Sequence, residues 1–202
     1  MPADLDLDAA LMLRVKQGDA TAFTQLVDKY KQPVMNFAYR TLRDLTEAED
    51  LAQNVFVQVY KSARRYEPSA KFSTWLFTIA RNLCLNEIRR RARHPAESLD
   101  QTRAEADDQP LHQVEDRRVV LPSEELLHGE LEKKITDALA ELPENQRTAL
   151  LLCRQEELSY EEIVGVLGCS LSATKSLIHR GRETLKSKLK PYLRTGAWRS
   201  AK

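Results

Sequence analysis

Between His94 and His128 the rhythm of apolar residues that organises the rest of the chain stops. Pro95, Pro110 and Pro122 interrupt this stretch, and acids crowd it: Glu97, Asp100, Glu105, Asp107, Asp108, Glu115 and Asp116. A segment of that kind cannot bury enough apolar surface to offset the entropy of ordering it, so it reads as a flexible acidic linker. The chain of 202 residues therefore divides into a first module over 8–93, a linker over 94–129 and a second module over 130–193.

Both modules read as helical. Glycine and proline are few, 6 and 8, and long stretches are rich in Ala, Leu, Glu, Arg and Lys, which lose little side-chain freedom in a helix. Nothing suggests strands or an internal repeat. The expected fold is all-α, two small helical domains joined by the linker. The N-terminus, with Asp4, Asp6 and Asp8, lacks the basic start and apolar core of a signal peptide, and no apolar run approaches the ~18 residues of a membrane span. A cytoplasmic protein without membrane insertion is the expectation. Cys84, Cys153 and Cys169 are odd in number and widely spaced, which fits small reduced thiols rather than a disulfide framework or a metal site.

The net charge of +1 hides an arrangement. Arg81, Arg89, Arg90, Arg91 and Arg93 cluster at the end of the first module, and Lys175, Arg180, Arg182, Lys186, Lys188 and Lys190 in the second, with the acids between. Local field matters to a phosphate backbone more than the sum does.

Along the first module, a short helix from Asp8 ends at Gly18, Asp19 caps the next, and Pro33 marks a break or a new first turn. Thr46 and Glu49 form a T-x-x-E capping box opening the most regular helix. Its apolar stripe is Ala48, Leu51, Ala52, Val55, Phe56, Val59 and Tyr60. Arg64 to Phe72 reads as a loop, after which Ser73 or Thr74 caps a long helix to about Arg93. On that helix Trp75, Asn82, Asn86, Arg89 and Arg93 share one stripe. The stripe suits base stacking, base-edge hydrogen bonds and phosphate contacts. It equally suits a Trp75 wedged in a core beside an ordinary solvated face, and spacing does not decide between them.

In the second module, Leu131 to Leu142 marks a helix halted at Pro143, and Asn145 to Arg154 another. Ser159 and Glu162 form a second capping box for a short helix ended by Gly168. A longer basic helix follows from about Leu171 or Ser172 to Leu189, which together is the pattern of a helix-turn-helix. Leu171, Thr174, Ile178, Leu185 and Leu189 fall at buried spacing. Ser172, Lys175, Ser176, His179, Arg180 and Arg182 face outward, as candidates for base-edge and phosphate contacts. His179 has no Asp, Ser or Cys placed to work with it, and no glycine-rich phosphate loop or HExxH appears, so an enzyme is not expected.

Six stretches carry a resemblance. They are Gly18-Asp19-Ala20 with Ala22-Phe23 and Leu26-Val27; Ala48 to Phe56; Phe72 to Asn82; Leu142-Pro143; Leu158 to Ile163; and His179 to Leu185. In order, and across both modules, they resemble the extracytoplasmic-function (group IV) sigma factors of bacterial RNA polymerase. The resemblance implies a non-catalytic promoter-recognition subunit, with no cofactor and no metal. It makes 8–93 a sigma-2 domain and 130–193 a sigma-4 domain. Asp50, Gln53, Asn54 and Gln58 would dock core RNA polymerase, through its beta-prime coiled coil, with the beta subunit also a partner. Tyr66, Lys71, Phe72, Trp75, Asn82, Asn86 and Arg89 would open and read the −10 element, the loop capturing a flipped base. The outward residues from Ser172 to Arg182 would read the −35 element. Many members are also held by an anti-sigma factor. The chain departs from the family where Leu177 replaces a basic residue and Thr174 an apolar one. A free-standing helix-turn-helix regulator, with the Asp50–Tyr60 helix as a dimer interface, is the alternative the residues leave open.

Overall fold

In a computed structural model, residues 6–93, 131, 133–154 and 158–195 are described, and among them every regular element is helical. The expected linker lies outside the described residues. The first module holds α1 (Leu7–Lys16), α2 (Ala20–Leu42), α3 (Leu45–Ser62), a 3-10 turn (Ala63–Arg65) and α4 (Phe72–Arg93). The second holds α5 over 133–140, α6 (Glu144–Arg154), α7 (Tyr160–Leu167) and α8 (Leu171–Thr195).

Several boundaries fall where local chemistry places them. Asp19 caps α2 by accepting from the Ala22 N–H at 3.0 Å. That bond, with the Arg14 guanidinium at 2.7 Å, holds its carboxyl below the ordinary value. Ser159 and Glu162 make the reciprocal box at the start of α7. Gly168 ends α7 in the left-handed region, φ +65°, where a side chain would be strained.

Three expectations are corrected. Asp44, not Thr46, caps α3: its carboxylate accepts from the Glu47 N–H at 2.8 Å, and the helix already begins at Leu45. Pro33 breaks nothing, because α2 runs through it. A mid-helix proline costs about 3 kcal/mol. Tyr30, Val34, Phe37 and Ala38 are all buried around it, at about 1.5–3 kcal/mol for each large side chain, and that burial holds the helix together. Finally, α4 begins at Phe72, so Ser73 and Thr74 sit inside its first turn rather than capping it.

The buried side chains of both modules form one continuous cluster, from Met12, Leu26 and Phe37 through Leu76 and Phe77 to Leu152 and Ile163. The modules meet where α7 lies on α4 and α6 approaches α2. At the first contact the backbones come close: a Cβ on Gly165 would stand 2.8 Å from Thr74 Cγ2.

The cap assignment is testable by urea denaturation. Asp44→Ala should destabilise the protein by about 1 kcal/mol and Thr46→Ala by a few tenths at most. The reverse ranking would restore Thr46 as the cap.

Candidate nucleic-acid interface

Three exposed surfaces carry the residues singled out in the sequence. The first is the outer face of α8. Ser170 opens this helix: its hydroxyl accepts from the Ala173 N–H at 3.2 Å and its carbonyl from the Thr174 N–H at 2.9 Å. Thr174 and Ile178 then point inward and are fully buried. The Thr174 hydroxyl lies 3.2 Å from Cys169 Sγ, so this polar residue at an inward position has a hydrogen-bonding neighbour. What remains outward is Ser172, Lys175, Ser176, His179 and Arg180, which line one shallow open groove with Leu171. One expectation changes here. Leu171 is on the groove and 37% exposed rather than inward. Arg182 is exposed as expected, beyond the groove, and its guanidinium also reaches Cys153 Sγ at 3.2 Å. The groove thus offers hydroxyl and cationic donors beside an imidazole along the first half of a helix, where the macrodipole also favours anions.

The second surface is the start of α4 with the loop before it. Tyr66 and Phe72, which the resemblance implies for the −10 element, lie in the core at 2% and 0% exposure. Their rings make the floor on which half-buried Trp75 rests, 4.9 Å from Tyr66 and 6.0 Å from Phe72 between centroids. Tyr30 packs on Phe72 from below at 5.4 Å. Burial, then the charges of Asp6 and Asp8, push the Tyr66 hydroxyl up to about 12, so it stays protonated. Between these two anchors Glu67, Pro68, Ser69, Ala70 and Lys71 are all exposed. Further along α4, Asn82, Asn86 and Arg89 are exposed together, as their shared stripe requires. The arginine cluster divides. Arg90 pairs with Glu87 at 2.9 Å, whereas Arg91 reaches the Leu42 carbonyl at 3.0 Å and the Glu47 carboxylate, fastening α4 to the α2–α3 corner. Arg89 and Arg93 remain exposed.

The third surface is the outer face of α3. Asp50, Gln53, Asn54 and Gln58 are all exposed, and among them stand Val57, 47% exposed, and Tyr60, 58%. Large apolar groups among polar ones on an exposed helix suit a protein partner.

The cysteines are free: Cys84 is buried, and burial pushes its thiol up to about 12, while Cys153 and Cys169 are half-buried. Among the described residues no three His, Cys, Asp or Glu side chains are grouped to hold a metal, and no helix is long and apolar enough to cross a membrane.

Sequence reasoning missed the junction between the modules. Glu162 was legible only as half of a capping box. Its Oε2 does accept from the Ser159 N–H, at 2.5 Å. Its Oε1 lies 3.2 Å from the Ser73 hydroxyl and 3.3 Å from Lys71 Nζ, on the other module. Arg81 reaches Asn145 at 3.3 Å and Glu144 at 3.8 Å, and Arg43 pairs with Asp137. Burial alone would raise the Glu162 carboxyl, but the Ser159 hydrogen bonds and the Lys71 charge outweigh it and hold it below the ordinary carboxylate value. No local pattern signals contacts between residues about ninety positions apart.

The chain matches the family model "Sigma-70 region 2" over residues 26–94 and "Sigma-70, region 4" over 132–185. It is 36% identical over 191 residues to the RNA polymerase sigma-H factor of Pseudomonas aeruginosa, covering 93% of this chain and 96% of that protein. It is 36% identical over 177 residues to the ECF RNA polymerase sigma factor SigW of Bacillus subtilis, covering 88% and 94%. Among solved structures, it matches CnrH in complex with the cytosolic domain of CnrY at TM-score 0.68 and 24% identity, covering 92% of this chain and 99% of that one. It matches the sigma factor RpoE of Bartonella quintana, in complex with the anti-sigma factor NepR, at 0.62 and 26%, covering 83% and 96%.

A carboxyl held below its ordinary value contributes stability that is fully present above that ordinary value and is lost as pH falls through the depressed one. Acidification through that depressed value should therefore loosen the Lys71 and Ser73 contacts. Gln at this position can still close the capping box, so Glu162→Gln should loosen the junction at neutral pH without unwinding α7. The expected effect is a several-fold rise in separated molecules, about 1 kcal/mol, because Lys71 is largely exposed. Dyes on α2 and α8 read it as a change in energy transfer; equal transfer in both proteins at neutral pH would remove Glu162 from the junction.

Proposed function

The chain belongs to the extracytoplasmic-function sigma factors of bacterial RNA polymerase, which are transcription initiation factors rather than enzymes, and from that premise we propose how its surfaces divide the work. The outer face of α3, through Asp50, Gln53, Asn54 and Gln58, binds core RNA polymerase. The loop 66–71 and α4 melt and read the −10 element. The groove of α8 reads the −35 element. The observation that carries this reading is the match of the two sigma regions, in order, to two modules whose exposed faces hold the expected polar and basic residues. An anti-sigma protein belongs to the same reading as a regulatory partner class, since the solved relative from Bartonella quintana is bound to one.

Melting needs a surface that offsets a few kcal/mol of lost stacking. Trp75 supplies a half-exposed ring held from below by Tyr66 and Phe72. Asn82 and Asn86 supply donors and acceptors for base edges, and Lys71 and Arg89 supply charge. Tyr66 and Phe72 then act beneath the loop, as the support of the stacking face.

The packed arrangement of modules cannot be the promoter-reading one. Elements centred near −35 and −10 are about 25 base pairs apart, roughly 85 Å of B-form DNA. Ser73 touches Glu162 at the start of α7, an eight-residue helix of about 12 Å, so the groove of α8 begins within roughly 25 Å of α4. Reading both elements requires the modules to part. The chain from 94 to 130 reaches at most roughly 120 Å when extended, enough to span the gap.

Trp75→Ala should cost about 1–3 kcal/mol of open-complex stability, and Asn82→Ala a similar amount, while affinity for core polymerase stays unchanged. Normal promoter melting by both variants would remove α4 from the −10 role. Gly165→Ala tests the parting step. It favours α7 itself by up to about 1 kcal/mol but crowds Thr74, so separation in the free protein should rise while α7 helicity is kept. Unchanged separation would mean that α7 does not hold the modules together.

A further inference from the structure

The loop that this reading assigns to promoter opening is held at both ends by one helix, and that helix precedes the stretch 26–94 matched to sigma region 2. At the loop's exit, the Phe72 N–H donates to Asp6 Oδ2 at 3.2 Å. The other oxygen of the same carboxylate accepts from the Asp8 N–H at 3.4 Å, at the start of α1. One side chain thus serves the N-terminal ends of two helices, each of which has free N–H groups and a positive dipole end. At the loop's entrance, Lys16 Nζ donates to the Tyr66 carbonyl at 2.9 Å. Asp6 and Lys16 stand at opposite ends of α1, about 15 Å apart along a ten-residue helix.

The clamp is itself anchored. Asp8 is buried and receives Lys29 Nζ at 2.7 Å and the Tyr30 hydroxyl at 2.6 Å from α2. Met12 and Val15 fix the inner face of α1 in the core. Tyr30 in turn packs on Phe72, so the anchor and the loop's exit share one aromatic contact. Between the clamped ends, Glu67 to Ala70 are exposed and free to meet a ligand.

We propose that α1 is a positioning clamp for the promoter-opening loop, with Asp6 and Lys16 as its positioning residues. The proposal rests on the sigma reading only for what the loop does; the clamp itself is testable without DNA. In the free full-length protein, amide exchange over 66–72 should accelerate about tenfold in Asp6→Ala and in Lys16→Met, as expected for loss of a charge-assisted hydrogen bond. Exchange in α3 and α8 should stay near wild type in both variants, and so should the urea midpoint of Lys16→Met; the midpoint of Asp6→Ala, which also uncaps α1, should fall no further than that of Asp44→Ala. Asp6→Asn keeps an acceptor oxygen and should restore most of the protection. With core polymerase and a cognate promoter, the same two variants should lower permanganate reactivity of −10 thymines about tenfold, with core affinity unchanged. Leu7→Ser, on the exposed side of α1, should change neither reading.

Unchanged loop exchange in both variants would overturn the clamp, and so would faster exchange accompanied by normal promoter opening. A fall in opening that merely follows lost core affinity or general unfolding would also overturn it, leaving α1 a structural element. If wild-type protein opened no promoter at all, the sigma reading would fail while the exchange result still decided the clamp.

Discussion

A helix whose first turn is buried must find acceptors for its free N–H groups inside the protein. That constraint governs the start of α4, where Phe72, Ser73 and Thr74 are all nearly inaccessible. Asp6 meets it from α1, and the aromatic floor of Tyr30, Tyr66 and Trp75 closes around Phe72. Ser73 turns its hydroxyl toward Glu162 of the other module. The loop, the stacking face and the junction of the modules all depend on one turn of helix.

The junction combines apolar and polar contacts. Apolar burial is continuous across it, yet its named cross-contacts are polar: Lys71 and Ser73 with Glu162, Arg81 with Asn145, Arg43 with Asp137. Exposed ion pairs contribute about 0–1 kcal/mol each, so a few of them can be exchanged for the contacts of a larger partner.

How much of this was legible in the sequence depends on the range of the interaction involved. The cap at Asp19, the box at Ser159 and Glu162, and the stop at Gly168 are local, set within a few residues, and the sequence displays them directly. The stripe of Asn82, Asn86 and Arg89 and the groove from Ser172 to Arg180 follow from helical period alone, and both are exposed as expected. The rest depends on backbone angles or on distant neighbours. Asp44 displaces Thr46 because the extended conformation a cap needs falls at Asp44, which spacing cannot reveal. Tyr66 and Phe72 are aromatic and flank a loop, so they look like surface readers until the core beneath them is seen. Arg182 is outward as its period requires, but its contact with Cys153 is not legible locally, and Glu162 serves two modules at once. Specific roles for the polymerase and promoter contacts came from family resemblance, which periodicity could not supply.

The most direct test of the central claim is run-off transcription with purified core polymerase on a library of genomic promoter fragments, with and without the protein. Discrete transcripts that require the protein are expected, from fragments sharing two elements spaced too far apart for the closed form to touch both. An absence of such transcripts, together with no association between the protein and core polymerase, would contradict that claim.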